Sequence, residues 1–273
     1  MKSPERIKKI QARLRRKKID ALLVSQPHNR RYLSGYSAAD HDIGESSGVL
    51  LIPARSSALL LTDFRFLIQA EREAEGMEVI LYPKGLLALL RELLPDLTIA
   101  SLAFESHYTL HSTVGKMEKM AEKLGIRLVP VEGMVEEMRL IKDSDEIRKI
   151  KKSVLLNEQV FQEVHQTIVP GQTEVDIALA LESAMRRKGA EGASFDSIVA
   201  TGKRSALPHA VPGPVPVREN RPLMIDMGLI LDGYCSDMTR TFVPGKADKK
   251  YREIHRLVRK AQIAATAAVR AGV

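Results

Sequence analysis

The chain has 273 residues, of which 44% are apolar, and a formal net charge of +8. Its length suits two domains of ordinary size, and because Trp is absent, Leu, Ile, Val and Met must fill their cores. The excess charge lies mostly within residues 1–20, where nine Lys or Arg accompany two Asp or Glu, so the composition does not predict a nucleic-acid-binding protein.

The basic segment SPERIKKIQARLRRKKID predicts a helix over about 4–18 with an apolar stripe of Ile7, Ile10 and Leu14. Such a stripe is typical of a helix packed on a core, with its charged face in water. Binding of an acidic partner is the alternative role of that face. The only cysteine is Cys235, which excludes an internal disulfide and is typical of a reducing compartment. No apolar run approaches the roughly 18–20 residues of a membrane span, so we expect a soluble, cytoplasmic protein without a membrane partner.

Residues 1–130 alternate between helical and strand patterns. The segments SGVLLIP and SALLLTDF predict a hairpin, because only ARS separates them. Further strands are predicted in DALLVSQ, EVILYP, SLAFES and IRLVPVE, and further helices in FRFLIQAEREAEG, GLLALLRELLPD and TLHSTVGKMEKMAEKLG. Strands that alternate with helices in this way predict an α/β domain with a mixed sheet.

A different pattern follows, with a helix that begins at DSDE, runs to about Ile168 and is stopped by Pro170 and Gly171. Next come a helix capped by Thr173, a strand in FDSIVATG, a proline-rich loop, a hairpin, and a last helix over about 247–271. We expect the domain boundary near 130–143, with an amino-terminal domain over 1–135 and a second domain over 136–273.

The hairpin lies in MIDMGLILDGYCSDMTRTF, residues 224–242. An Asp-Gly pair between two β-prone runs is the strongest short signal of a two-residue hairpin turn, here at Asp232 and Gly233. In that register Leu231 pairs with Tyr234, and the same register continues down both strands.

On this register Asp226 lies opposite Thr239, Gly228 lies opposite Asp237, and all four residues share one face. The two aspartates are then diagonal neighbours at about 7–8 Å, and Gly228 leaves the point between them empty. Two like charges in a half-buried place raise each other's pKa unless a cation lies between them, and oxygen ligands favour Mn, Co, Mg or Zn. The alternative is that one aspartate caps a turn and the other forms a surface ion pair; a slip of one residue would also separate them.

The segment DMGLILDGYCSDMTRTF resembles the first metal motif of the pita-bread metallopeptidases, the group of Xaa-Pro aminopeptidase, prolidase and creatinase. The matching residues are Asp226, Gly228, Gly233, Tyr234, Ser236, Asp237, Thr239, Arg240 and Thr241. FDSIVATGKRSALPHA, NRRYLSGYS, TDFRF and EEMRLIKDSDEI resemble other parts of the same group. The resemblance implies an α/β fold, an amino-terminal mixed-sheet creatinase-like domain followed by an incomplete α+β pita-bread domain.

The function that the resemblance implies is hydrolysis of Xaa-Pro bonds in a peptide or dipeptide by a homodimer. Asp226 and Asp237 would bind two divalent ions, most simply Mn, with Co or Zn as alternatives. His209 would bind substrate, and Thr239 would orient a metal-binding carboxylate.

The family completes this site with a histidine and two glutamates further along the sequence, whereas this chain stops at Val273. We therefore expect a piece of a longer enzyme, or one completed by another chain, and no activity from these 273 residues alone. The alternatives are a protein-binding module of the same fold, favoured by the basic first helix, and a creatinase-type amidinohydrolase.

Other polar residues are weaker candidates. His107 and His111 are four residues apart, a spacing that shares a metal on a helix, but no Glu stands between them as in a zinc protease motif. His28 and His41 flank NRRYLSGY in predicted loops. A cysteine outside a disulfide, such as Cys235, is usually a small buried residue.

Overall fold

The computed structural model describes residues 2–273, which divide between Asp143 and Ser144 into two compact units. The helices of the first unit are α1 (Ser3–Lys17), α2 (Pro27–Ser34), α3 (Leu67–Glu73), α4 (Leu86–Asp96), α5 (His111–Leu124) and α6 (Glu136–Leu140). Its strands are β1 (Ala21–Val24), β2 (Val49–Pro53), β3 (Leu59–Thr62), β4 (Glu78–Leu81), β5 (Ser101–Glu105) and β6 (Arg127–Val131).

These six strands form one mixed sheet in the order β4-β3-β2-β1-β5-β6. The predicted hairpin of β2 and β3 is antiparallel, while β1 pairs in parallel with β5. Alternate residues of β1 enter different cores: Leu22 packs in one apolar cluster and Leu23 in another. The sheet is therefore covered on both faces, as an α/β domain requires.

Helix α1 confirms the predicted stripe. Ile7, Ile10 and Leu14 are buried, whereas the lysines and arginines between them are mostly exposed. Lys18 ends the helix in a left-handed conformation, with its backbone N–H bonded to the carbonyl of Arg15. The charged face is solvated, as expected for a helix that covers a core.

Helix α2 lies where a loop was predicted, so His28 lies in a helix, and α6 is a short helix for which no prediction was made. Gln26 caps α2 by accepting a hydrogen bond from the backbone N–H of Asn29, and Pro27 occupies the first turn. Apolar periodicity does not predict this helix, because Asn29 and Arg30 are among the residues that α2 buries.

The second unit contains α7 (Ser144–His165), α8 (Glu174–Arg187) and α9 (Lys249–Ala268), with strands β7 (Gly192–Ala193), β8 (Ile198–Thr201), β9 (Leu223–Met227), β10 (Leu229–Leu231), β11 (Tyr234–Cys235) and β12 (Met238–Phe242). Thr173 caps α8 as predicted. The strands form two small sheets, in the orders β11-β10-β7 and β12-β9-β8.

The predicted hairpin register is confirmed. Leu231 pairs with Tyr234 across the turn, and Asp226 pairs with Thr239 further down. Asp232 and Gly233 both have positive φ, of 50° and 79°, as a type I′ turn requires. The opposite side of the hairpin, with Met227 and Leu229, packs in the core of this unit.

Within residues 2–273, no helix is both long enough and apolar enough to cross a membrane.

Candidate metal site

The hairpin is interrupted at Gly228, where the ladder of β9 and β12 ends and that of β10 and β11 begins. A methyl group on Gly228 would lie 2.2 Å from the carbonyl oxygen of Ser236 and 2.3 Å from Oγ of Ser194. It would also lie 2.8 Å from the Phe195 ring. The prediction of an empty space at Gly228 is therefore wrong: backbone and side chains from elsewhere fill it, and glycine permits that close approach.

Asn157 and Ser194 donate hydrogen bonds to the backbone carbonyls at this interruption. Asn157 of α7 donates through Nδ2 to the carbonyl of Met227, at 3.2 Å. Ser194 donates through its backbone N–H to the carbonyl of Gly228, at 3.0 Å, and through Oγ to that of Ser236, at 3.1 Å. Since buried carbonyls need partners, these contacts stabilise a specific break in the strand. Asp237 follows the break directly, outside any strand.

Asp226 and Thr239 are in direct contact. Thr239 Oγ1 donates to Oδ1 of Asp226 at 2.8 Å, which restricts the carboxylate's rotation and leaves Oδ2 available as a ligand. Asp226 is partly buried, and Asp237 and Thr239 are exposed.

A cavity of about 350 Å³ adjoins this region and is lined by Val154, Asn157, Glu158, Ser236, Asp237, Met238, Thr239, Arg240 and Gln262. Asn157 is 1% exposed, and its Oδ1 has no hydrogen-bond partner among the described residues. Its amide orientation is set by Nδ2, which must face the carbonyl of Met227, so Oδ1 remains an unused acceptor.

The donor set fits a hard divalent ion, because Asp226 and Asp237 offer carboxylate oxygens and Thr239 already orients one of them. The number of donors is small: the described residues contain no group of three His, Cys, Asp or Glu side chains placed to hold a metal. The two aspartates thus suit part of a metal site.

His209 lies in the loop between β8 and β9 and is exposed. Among residues 2–273, no hydrogen bond or ion pair joins it to Asp226 or Asp237. The next residue, Ala210, is buried with Ile198 and Ala200, so the loop is anchored beside the histidine.

His107 and His111 do not form a metal site within residues 2–273. His107 lies in a short 3-10 turn and contacts Glu136 through Nε2, at 3.1 Å, whereas His111 begins α5. Cys235 is exposed, in contrast to the expected buried position.

Sequence reasoning missed Asn157, Ser194 and Glu174. Glu174 follows the helix cap Thr173, where an acidic residue usually faces water, yet its carboxylate is fully buried. Asn157 breaks the apolar periodicity of α7, a signal that could have marked a buried polar contact.

Models of known protein families match both units of the chain. A model described as "Metallopeptidase family M24" matches residues 148–273, and a model of the "Creatinase/Prolidase N-terminal domain" matches residues 6–141. The chain is 32% identical to an uncharacterized peptidase of Bacillus subtilis, over 93% of this chain and 69% of the relative. It is 30% identical to an Xaa-Pro dipeptidase of Pyrococcus horikoshii, over 98% of this chain and 72% of the relative.

Solved structures show the same fold. An Xaa-Pro dipeptidase from Bacillus anthracis superposes with a TM-score of 0.88 at 31% identity, over 100% of this chain and 74% of that one. An X-Pro aminopeptidase from Thermotoga maritima gives 0.83 at 34% identity, over 96% and 73%. The mixed-sheet unit and the hairpin unit thus correspond to known domains, and the chain belongs to metallopeptidase family M24, with a creatinase/prolidase amino-terminal domain before a pita-bread domain.

Proposed function

We propose that these residues serve metal-dependent hydrolysis of the Xaa-Pro peptide bond. The observation that carries the proposal is the hydrogen bond from Thr239 to Asp226, in a hairpin whose register leaves Asp237 free of the strands and beside the same cavity. Asp226 and Asp237 are the proposed ligands of two divalent ions, and manganese suits their oxygen donors, with cobalt or zinc as alternatives.

Bound divalent ions would supply a water of lowered pKa and polarise the substrate carbonyl. Thr239 keeps Asp226 in one orientation, which limits the loss of rotational freedom when the carboxylate binds an ion. His209 is exposed at the end of an anchored loop, and we assign it a hydrogen bond to the peptide substrate.

The substrate class is supported by the relatives, which include proteins named Xaa-Pro dipeptidase and X-Pro aminopeptidase. Proline on the far side of the scissile bond gives a tertiary amide without N–H, so a site for it must work without that donor. We propose proline-containing dipeptides or longer peptides as substrates.

The assembly and location are also proposals. We propose a homodimer, in line with the resemblance to prolidase-like enzymes, and a cytoplasmic location, because Cys235 is the only cysteine of the sequence. Light scattering of the purified chain tests the first: a monomer mass of 30.3 kDa would contradict it.

Two carboxylates are too few to hold two ions tightly, because affinity depends on the number of ligands and on a closed geometry. We therefore propose that additional ligands, from outside these 273 residues, complete the site. The 273-residue chain alone is then expected to bind Mn²⁺ weakly and to turn over no substrate.

The experiment combines metal binding with turnover. Mn²⁺ is titrated into the purified chain and into Asp226→Asn and Asp237→Asn, and each protein is assayed with an Xaa-Pro dipeptide and an Xaa-Pro tripeptide. We expect weak Mn²⁺ binding that both substitutions abolish. Equal binding by the substituted proteins would contradict the ligand assignment, and turnover by the 273-residue chain would contradict the need for more ligands.

The substrate class is tested on the product of the whole reading frame. We expect Mn²⁺-dependent cleavage before proline that either aspartate substitution abolishes. Cleavage of a matched Xaa-Ala dipeptide with equal efficiency, or no metal-dependent cleavage of either peptide, would contradict the proposed substrate.

A further inference from the structure

Glu174, the first residue of α8, is a fully buried carboxylate that joins three segments of the second unit. Its Oε1 accepts the backbone N–H of Thr201 at 2.9 Å, at the end of β8. Its Oε2 accepts the backbone N–H of Gly213 at 3.0 Å. Both oxygens accept a hydrogen bond from Nε of Arg204, each at 3.1 Å. The carboxylate thus contacts the chain on both sides of His209.

Arg204 continues this connection. Its Nη2 donates to the carbonyl of Val211 at 2.6 Å, which closes a bridge from five residues before His209 to two residues after it. Within the loop, Ala210 is buried while His209 and Leu207 are exposed. The backbone is therefore fixed beside an imidazole that is itself open to solvent.

The chemistry of this cluster is unusual for a surface loop. Burying a carboxylate is costly, and a buried ion pair is rarely the most stable choice compared with apolar packing. A charged pair does, however, define one geometry, because its hydrogen bonds are directional and leaving any of them unmade is expensive. The cluster is thus better suited to setting a conformation than to adding stability.

We propose that Glu174 and Arg204 are positioning residues for His209: together they hold the loop over 205–213 in the one conformation that presents the imidazole. This inference rests on the proposed role of His209 in substrate binding. Neither Glu174 nor Arg204 needs to contact a substrate for it to hold.

The test uses the 273-residue chain without metal or substrate, so its outcome does not depend on the proposed hydrolysis. Amide hydrogen exchange is measured for peptides covering 205–213 and for α8, in Glu174→Gln and Arg204→Ala. Gln keeps the shape of Glu174 but accepts hydrogen bonds through one oxygen only. Arg204→Ala keeps the hydrogen bonds that the backbone N–H groups of Thr201 and Gly213 donate to Glu174. Arg187→Ala, which removes an exposed pair with Glu163 in the same unit, is the matched control.

We expect exchange in 205–213 to rise about tenfold in both variants, with α8 unchanged in Arg204→Ala and no effect of Arg187→Ala. The NMR signal of the His209 imidazole, identified by its loss in His209→Gln, should broaden or shift. Arg204→Lys should restore part of the protection, because it keeps the charge but not the planar fork.

Unchanged exchange in 205–213, or an unchanged His209 signal in Arg204→Ala, would overturn the inference. A rise shared equally by α8 and β8 in Arg204→Ala would also overturn it, because the pair would then only stabilise the unit. If Glu174→Gln does not fold, the Arg204 variants decide alone. Failure of the proposed hydrolysis appears separately, as the absence of metal-dependent Xaa-Pro cleavage by the product of the whole reading frame.

Discussion

Thr239 and Asp226 lie directly opposite each other in neighbouring antiparallel strands, and the hydroxyl of the first donates to the carboxylate of the second at 2.8 Å. In the proposed metal site, this hydrogen bond would hold the Asp226 carboxylate in one orientation before any metal binds. Its value for metal binding can be separated from its value for stability, because Thr239 itself is exposed.

Substituting Thr239→Val removes the hydroxyl and keeps the shape. We expect Mn²⁺ affinity to fall about tenfold, since Asp226 then samples several orientations, while the free energy of unfolding changes by under about 1 kcal/mol. Calorimetric titration and urea unfolding measure the two. Thr241→Val, on the same exposed face of the same strand, should change neither. Equal losses of affinity in both variants would contradict a specific role for Thr239.

Gly228→Ala should destabilise the second unit, because the new methyl group would meet the Ser236 carbonyl oxygen at 2.2 Å. The obstructing atom belongs to the backbone and cannot rotate away. We expect a loss of about 1–3 kcal/mol in the free energy of unfolding, measured by urea titration. Gly115→Ala in α5 meets nothing within 4 Å and should add about 0.4–1 kcal/mol. An unchanged stability for Gly228→Ala would show that the strands separate easily at this point.

Arg30 is a buried cation of the first unit, paired with Asp40 at 2.9 Å and donating to the carbonyls of Ala38 and Gly48. Arg30→Met would leave the Asp40 carboxylate buried without its cation. We expect a loss of about 3–5 kcal/mol, measured by calorimetry. Arg187→Ala, which breaks an exposed pair, should cost under about 1 kcal/mol. A similar small loss for Arg30→Met would mean that water reaches Asp40.

The buried Glu105 predicts a pH dependence. Burial, together with the nearby charge of Glu136, raises the pKa of Glu105, although hydrogen bonds from Gln26, Asn29 and Ser25 oppose the rise. The folded state then holds this proton at a pH where the unfolded chain has released it, so stability from this group falls as pH rises above about 4.5.

The measurement is urea unfolding of the wild type and of Glu105→Gln at several values of pH. We expect Glu105→Gln to be less stable throughout, because its one amide oxygen cannot accept both from Asn29 and from the backbone N–H groups of Ser25 and Gln26. It should lose less stability than the wild type as pH rises from about 4.5 towards neutrality. A constant difference between the two proteins across that window would contradict the raised pKa.

The hairpin register could be predicted because its cause is local. An Asp-Gly pair favours the positive φ angles that Asp232 and Gly233 adopt in the turn. Because side chains alternate between the two faces of a strand, the turn then assigns every residue of both strands to a face. The helices α5 and α8 were predictable for similar reasons, since Gly125 and Thr173 mark their ends. These signals lie within a few residues of what they determine.

The interruption at Gly228 could not be predicted, because its partners are distant. Ser194 lies 42 residues before Ser236 in the sequence, and Asn157 lies 70 residues before Met227. Helix α2 was missed for a different reason: it buries Asn29 and Arg30, whose partners Glu105 and Asp40 are visible only in the folded unit. Buried polar groups follow hydrogen-bond partners and not apolar periodicity.

The interrupted hairpin also has a consequence for the order of folding. The strands on either side of the turn at Asp232 and Gly233 belong to two different sheets: β10 and β11 lie in one, and β9 and β12 in the other. Contacts across a two-residue turn form quickly, whereas the pairing of β7 and β8 with the hairpin forms more slowly because these strands are distant in sequence. We expect the hairpin to act as a common nucleus, so that a slow turn would delay both sheets together.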